Sequence, residues 1–293
     1  MQTKPVRTTE LREMKRRGEK IAMLTAYDAT MARLLDRAGI DVLLVGDSLG
    51  MVVLGYDTTV PVTLDDMLHH TRIVVRGTER ALVVADMPFL SYQVSTAEAV
   101  RNAGRLMKEG GAAAVKLEGG RAVVDVVKRL VDVGIPVMGH LGLLPQSVHQ
   151  VGGFRKQATR PEGVEALMAD AAALEAAGAF AIVLESIPSE VARTATAHVS
   201  VPTIGIGAGP DCDGQVLVCS DMLGLFDGFV PPFVKQYAQL ADTIVTAGQE
   251  YIQDVRTGRY PQLGPSAAPS AAPSAAPSAA PPGARPGAAK RAT

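Results

Sequence analysis

The sequence predicts an α/β protein built as a single-domain (β/α)8 TIM barrel with a C-terminal extension, and three observations carry that prediction. Short apolar runs rich in Val, Ile and Leu recur without polar alternation, as suits strands covered on both faces in a parallel sheet. Amphipathic segments that stop at glycine lie between them. The alternation continues to about residue 260, which matches the roughly 250 residues of one closed barrel. An open doubly wound sheet is the other architecture such alternation allows. No Gly-x-Gly-x-x-Gly follows the first strand to mark a dinucleotide switch point, so the barrel is preferred.

In chain order, the first strand candidate begins at Ile21, and the second, Val42-Leu43-Leu44-Val45, closes on Gly46-Asp47-Ser48. Thr63-Leu64-Asp65-Asp66 predicts a capped helix running to about Arg76, with Gly77 as its stop. Leu82-Val83-Val84-Ala85 then ends on Asp86. Ser95-Thr96-Ala97-Glu98 has the capping-box pattern, in which Ser and Glu satisfy each other's free backbone N–H groups. Ala99, Ala103, Leu106 and Met107 follow at helical spacing, and Ala113-Ala114-Val115 leads into Lys116-Leu117-Glu118. A helix is expected from Arg121 to Val133, stopped by Gly134 and blocked again by Pro136. Pro136-Val137-Met138-Gly139 ends on His140. The next helix, Glu162 to Ala177, puts Leu167, Ala171, Leu174 and Ala177 on one face and stops at Gly178, and Ala181-Ile182-Val183-Leu184 ends on Glu185. Pro202 to Gly207 is the seventh strand candidate, and an eighth is possible at Gln215-Val216-Leu217-Val218. Four Pro-Ser-Ala-Ala units from Pro265 to Ala280 cannot build an apolar face. The expected organisation is therefore a catalytic barrel with C-terminal helices over 1–261 and a disordered Pro/Ser/Ala-rich tail over 262–293.

Composition narrows the function. Net charge is −1, from 29 basic and 30 acidic residues, which gives no long-range pull toward nucleic acid or anionic membrane. No tryptophan and only 4% aromatic residues leave little for stacking on single-stranded nucleic acid. No run approaches the roughly 18 apolar residues of a membrane helix, and no apolar leader precedes Arg12, so a cytoplasmic protein is expected. Cys212 and Cys219 are too few for a disulfide framework or a zinc site, and are read as small inert side chains.

The polar residues that end the apolar runs carry the chemistry. In a parallel barrel the C-terminal strand ends share one rim, where polar side chains read as catalytic. Asp47 and Asp86 end neighbouring strands and suit Mg²⁺, which commonly takes one or two protein carboxylates. Glu118 would complete the site directly or through water. Three uncompensated acids on one rim would repel one another, and a divalent cation removes that conflict. Lys116 lies two residues before Glu118, so both face the barrel mouth. Lys116 could pair with Glu118, form a Schiff base or hold a substrate carboxylate; a metal cluster favours the last. Glu185 stands across the barrel among apolar neighbours, as a general base would. His140 is open between a structural hydrogen-bonding role and contact with substrate. Gly205-Ile206-Gly207-Ala208-Gly209 would bind phosphate or shape a pocket floor, and His69-His70 are expected to be solvated.

Leu24-Thr25-Ala26-Tyr27-Asp28, Val45-Gly46-Asp47-Ser48-Leu49-Gly50-Met51, Ala85-Asp86-Met87-Pro88-Phe89, Val115-Lys116-Leu117-Glu118-Gly119-Gly120, Gly139-His140-Leu141-Gly142-Leu143 and Ile204-Gly205-Ile206-Gly207-Ala208-Gly209 occur in that order. Together they resemble the ketopantoate hydroxymethyltransferase family, within the phosphoenolpyruvate mutase/isocitrate lyase-like barrels. The resemblance spans Thr25 to about Tyr260 and implies Mg²⁺, 5,10-methylenetetrahydrofolate as one-carbon donor, 3-methyl-2-oxobutanoate as acceptor and a homo-oligomer, decameric in the family. It implies metal positions at Asp47, Asp86 and Glu118, and ketoacid-binding positions at Asp47, Ser48, Asp86 and Lys116. It also implies a catalytic proton acceptor at Glu185. Phe89, Tyr92 and the loop from Gln146 to Thr159 are candidates for the pteridine contacts. A Mg²⁺-dependent 2-oxoacid lyase and a barrel that has lost catalysis are the competing expectations. Some such lyases need a loop cysteine, and none precedes residue 212.

Overall fold

The computed structural model describes residues 4–226 and 228–261. The elements run α1 (Thr8–Arg17), β1 (Ile21–Thr25), α2 (Ala29–Ala38), β2 (Val42–Val45), α3 (Leu49–Val52), α4 (Leu64–Gly77), β3 (Leu82–Asp86), α5 (Thr96–Lys108), β4 (Ala114–Glu118), α6 (Val124–Asp132), β5 (Val137–Gly142), α7 (Val148–Val151), α8 (Pro161–Ala176), β6 (Ala181–Glu185), α9 (Ser189–His198), β7 (Thr203–Ile206), β8 (Gly214–Leu217), α10 (Cys219–Met222) and α11 (Leu240–Arg256). The strands close in sequence order, β1 through β8. Every pair is parallel, and β8 returns to β1 through Ile21 opposite Gly214. The predicted (β/α)8 barrel is the fold.

Side-chain alternation sorts each strand into two faces. Ile21 and Met23, Val42 and Leu44, Leu82 and Val84, Ala114, Met138, Ala181 and Val183, Ile204 and Val216 form one apolar cluster inside the barrel. The intervening residues, among them Leu43, Val83, Val115, Val137 and Ile182, join a second cluster with the inward faces of the surrounding helices. Helix α1 extends the inner cluster with Leu11 and Met14. Lys15 fastens that helix by donating to the carbonyls of Thr196 and Val199 at 2.9 Å and of Val201 at 3.0 Å. It also pairs with Asp213 at 3.0 Å.

Several local expectations need refinement. Thr63 and Asp66 form the complete reciprocal cap of α4. Gly77 is the last helical residue rather than a left-handed stop, and its value is close approach: a Cβ there would lie 2.5 Å from the Ala29 carbonyl oxygen. Ser95 accepts from the Glu98 N–H at 3.2 Å, one half of the expected box. The segment from Arg121 begins as a 3₁₀ turn before α6, because Arg121 is tied to Asp170 by both its backbone N–H and its guanidinium. Gly134 and Gly178 do close α6 and α8 with φ of 86° and 98°. His70 is not a freely solvated side chain: its Nδ1 lies 2.7 Å from the Tyr27 carbonyl oxygen. Cys212 and Cys219 are buried free thiols.

The chain divides into two compact units, Met1–Ala241 and Asp242–Thr293. In the described part of the second, the remainder of α11 is closed by an Arg259–Asp254 ion pair at 2.7 Å. Tyr251 and Tyr260 meet edge-on there. The expected tail, residues 262–293, lies outside the described residues. Among the described residues no helix is long and apolar enough to cross a membrane.

Candidate active site

Counting two residues at a time along the inner face of each strand leads from the apolar layers to a polar one. Val84 is followed by Asp86, Ala114 by Lys116 and Glu118, Met138 by His140, and Val183 by Glu185. Register brings these together: Asp86 is opposite Lys116 across β3 and β4, and Glu118 is opposite His140 across β4 and β5. Asp47 follows β2, and its backbone N–H donates to Asp86 Oδ2 at 3.0 Å. Asp47, Asp86, Lys116, Glu118 and His140 are all buried, while Glu185 is partly open. All of them, with Ser48, line one cavity of about 380 Å³ at the C-terminal rim.

Lys116 pairs with Asp86 rather than Glu118, Nζ to Oδ1 at 2.9 Å, because the strand register sets it opposite Asp86. His140 Nδ1 is 3.3 Å from Lys116 Nζ and 3.6 Å from Glu118 Oε1, and its Nε2 is 3.0 Å from Glu185 Oε2. Ser48 Oγ is 2.8 Å from the Tyr27 hydroxyl. Gly142, at φ 92°, lets β5 turn beside the Glu185 carbonyl, where a Cβ would collide. That carbonyl accepts from the Leu143 N–H at 2.9 Å. Glu185 is thus held by its backbone on one side and by His140 on the other.

Burial pushes the Asp47 carboxyl well above the ordinary range, and the nearby charges of Asp86 and Glu118 push it further. Burial also raises Asp86, against the opposing pull of Lys116. Lys116 loses by burial but is carried above its usual value by Asp86, Glu118 and Asp47. His140 is raised to about 9: burial and Lys116 oppose its charge, and Glu118 and Glu185 outweigh them. Four carboxylates, Asp47, Asp86, Glu118 and Glu185, thus face two cationic groups, Lys116 and His140. Among the described residues no three His, Cys, Asp or Glu side chains converge as a preformed metal cage. Excess negative charge and only a pair of adjoining carboxylates fit a hard cation that keeps water and substrate oxygens as its other ligands.

The site contains residues the strand-end pattern did not reveal. Gln146 is buried and donates Nε2 to Asp47 Oδ2 at 2.8 Å and to the Met87 carbonyl at 2.9 Å, while its backbone N–H donates to Glu118 Oε2 at 3.1 Å. Tyr92 donates its hydroxyl to Gln146 Oε1 at 2.8 Å and accepts from the Glu118 N–H at 3.1 Å. Tyr92 is therefore a buried brace for the acid cluster, not part of the cavity wall. Phe89 also lies outside the cavity lining. Of the Gln146 to Thr159 loop, Phe154 lines the cavity. The opposite wall comes from Phe226, Phe229, Pro231, Pro232 and Phe233, with Asp221 near them in sequence. These residues follow the last strand, where no periodic pattern advertised them.

The sequence signature described as "Ketopantoate hydroxymethyltransferase" matches residues 5–263. The 3-methyl-2-oxobutanoate hydroxymethyltransferase of Moorella thermoacetica is 64% identical over 252 residues, 86% of this chain and 94% of that protein. The enzymes of the same name from Dehalococcoides mccartyi and Syntrophus aciditrophicus are 60% and 58% identical, covering 89% and 87% of this chain and 93% and 94% of theirs. Among solved structures, 2,3-dimethylmalate lyase, a PEP mutase/isocitrate lyase superfamily member, superposes with a TM-score of 0.56 at 19% identity, over 89% of this chain and 91% of its own. A phosphonopyruvate hydrolase complex with oxalate and Mg²⁺ superposes at 0.59 and 13% identity, over 89% and 92%. At these identities the structural likeness concerns the fold alone.

Proposed function

The chain belongs to the ketopantoate hydroxymethyltransferase family, and on that premise we propose how its own side chains transfer a hydroxymethyl group to 3-methyl-2-oxobutanoate, giving 2-dehydropantoate for pantothenate biosynthesis. The observation that carries the assignment of roles is Glu185 facing a buried cluster of Asp47, Asp86, Glu118 and Lys116 in one cavity. The one-carbon donor in this reading is 5,10-methylenetetrahydrofolate. Asp47 and Asp86 would hold Mg²⁺, with Glu118 completing the site directly or through water, and the bound ion would supply Lewis-acid polarisation of the 2-oxo group, making the C3 hydrogen acidic.

Lys116 holds the substrate carboxylate as a charge, since its Nζ is already committed as a cation among acids. Ser48 donates to the same carboxylate, and Tyr27 fixes the orientation of its hydroxyl. Leu44, Val183 and Ile206 give the isopropyl group an apolar seat. Glu185 removes the C3 proton, with His140 setting the position of its Oε2. Water takes over the folate-borne methylene as both of its C–N bonds break, its two protons leaving on the nitrogens of tetrahydrofolate. The electron pair left on C3 then bonds to that carbon, and the proton held by Glu185 passes to the new alkoxide as the hydroxyl hydrogen. The lyase alternative gains no observation of its own, because neither cysteine reaches the cavity.

We also infer that the enzyme works in the cytoplasm as a homo-oligomer. Both cysteines are free thiols, and α11 carries Ile244, Val245, Tyr251, Ile252 and Val255 at helical spacing, a stripe a second copy would cover. Light scattering tests the assembly. Product formation from 3-methyl-2-oxobutanoate, with and without methylenetetrahydrofolate and Mg²⁺, tests the chemistry. Turnover is expected only with both; turnover without folate, or surviving thorough chelation, overturns the reading.

A further inference from the structure

One carboxylate in the cavity takes no part in the chemistry above. Asp221, on α10, is only 8% exposed and lines the cavity. Among the described residues neither a hydrogen bond nor an ion pair engages its side chain. Burial raises its carboxyl above the ordinary range, and no cation offsets that. A partly desolvated carboxylate opening on the cavity leaves its acceptors to water or to a ligand that brings donors to it.

The wall that shares the cavity with Asp221 states what sort of ligand that is. Phe226, Phe229 and Phe233 line the cavity with Pro231 and Pro232. Phe229 is 79% exposed and Phe233 45% exposed, so both rings offer uncovered faces. Gly207, at φ 60°, admits the Phe233 ring at the end of β7; a Cβ there would lie 2.8 Å from it. The cavity, about 380 Å³, exceeds what a five-carbon ketoacid fills and falls in the range of roughly 300–1,000 Å³ typical of cofactor-sized sites. A carboxylate beside aromatic faces selects a planar heteroaromatic ring with neighbouring N–H donors on one edge. A hydrated metal ion would gain nothing from the rings, and an anionic ligand would be repelled by the carboxylate.

We propose that Asp221 and the wall of Phe226, Phe229 and Phe233 form the seat of the pterin ring. The Asp221 carboxylate accepts the ring N3–H and the 2-amino N–H, and the ring packs on the phenylalanines. The assignment rests on the reading of a folate as the one-carbon donor, and it orients that donor with its anionic glutamate away from Asp221.

The test is calorimetric binding of tetrahydrofolate to the full-length Mg²⁺ enzyme, comparing wild type, Asp221→Asn and Asp221→Ala. A second probe, tetrahydrofolate with its 2-amino group replaced by methyl, keeps the ring and loses the donor. Both substitutions are expected to weaken tetrahydrofolate about tenfold to a hundredfold, the usual worth of hydrogen bonds to a charged group. The altered folate should bind wild type at least about tenfold more weakly, and the variants should no longer distinguish the two folates. Solvent exchange of the ketoacid C3 hydrogen, which needs no folate, reports whether each variant keeps a folded site. Should Asp221→Ala fail to fold, Asp221→Asn, nearly the same shape, decides. Equal tetrahydrofolate affinity in wild type and variants overturns the seat. Wild type that binds no tetrahydrofolate overturns the folate reading itself, and the seat falls with it.

Discussion

Glu185 assigns a chemical step to one side chain, and it can be tested without the folate half of the reaction. Its Oε2 lies 3.0 Å from His140 Nε2, so replacing it by Gln keeps the contact and removes the basicity. Glu185→Gln should bind the ketoacid nearly as wild type while exchange of the C3 hydrogen with solvent deuterium, followed by NMR, falls about 10²–10⁴-fold. Exchange at the wild-type rate would move the base elsewhere, with His140 the next to examine. Asp47 makes a different prediction, because its carboxyl is buried beside two like charges. Asp47→Asn keeps the acceptor for Gln146 and removes the repulsion. Without metal it should melt higher than wild type, by about 2–4 °C for each kcal/mol relieved. The rise in Tm that Mg²⁺ gives wild type should vanish in it. A lower metal-free Tm, or an undiminished response to Mg²⁺, would count against a metal at Asp47. Asp47 and Asp86 were legible in the sequence because each ends an apolar run. Gln146 was not: it reaches Asp47 from 99 positions away, and only barrel closure brings the two together.

At the scale of elements, the helix-to-strand connections decide how firmly the polar rim is held. Glu175, near the end of α8, ties down the connection between α9 and β7. Its Oε1 accepts from the backbone N–H groups of Ser200 at 2.7 Å and Val201 at 3.2 Å, and from the Ser200 hydroxyl. Burial alone would raise its carboxyl, but these donors outweigh burial and hold it below the ordinary value of 4.5. A folded value below the unfolded one means the stabilisation is fully present above the unfolded value and is lost as pH falls through the folded one. Glu175→Ala should therefore cost about 1–2 kcal/mol at pH 7, the lower part of the range for a charged acceptor because the site is partly open to water. The gap between wild type and variant in urea unfolding should narrow below about pH 4. A gap independent of pH would mean that packing, not the charge, is what the variant loses. Helix ends were the most legible elements: Thr63 with Asp66, Gly134 and Gly178 act as their types predict. Gly77 misled, since a glycine kept for close approach and one kept for a left-handed turn look alike until the neighbour, Ala29, is known.

For the whole molecule, the period of the apolar runs predicted seven strands and a common rim, because a doubly covered parallel strand has to be apolar on both faces. The eighth, with its exposed Gln215, was only a possible strand, and chain length favoured closing the barrel with it. What the period could not show is what lies beyond it. The plug formed by α1 depends on Lys15 finding carbonyls more than 180 residues away. The aromatic wall after β8 has no repeat to announce it. The Pro-Ser-Ala-Ala segment is the opposite case, a strong pattern without large apolar side chains. It lies beyond the family match, which ends at residue 263, and has no aromatic or branched apolar side chain to bury. Its removal is therefore expected to leave the core intact, and it takes away none of the rim residues. A chain ending at Gly264 should keep its kcat within about twofold and its Tm within about 2 °C of the full-length enzyme. It should also keep the same mass by light scattering. A large fall in either kinetic or thermal measure would show that the segment packs on the enzyme, and a change in mass alone would assign it to assembly.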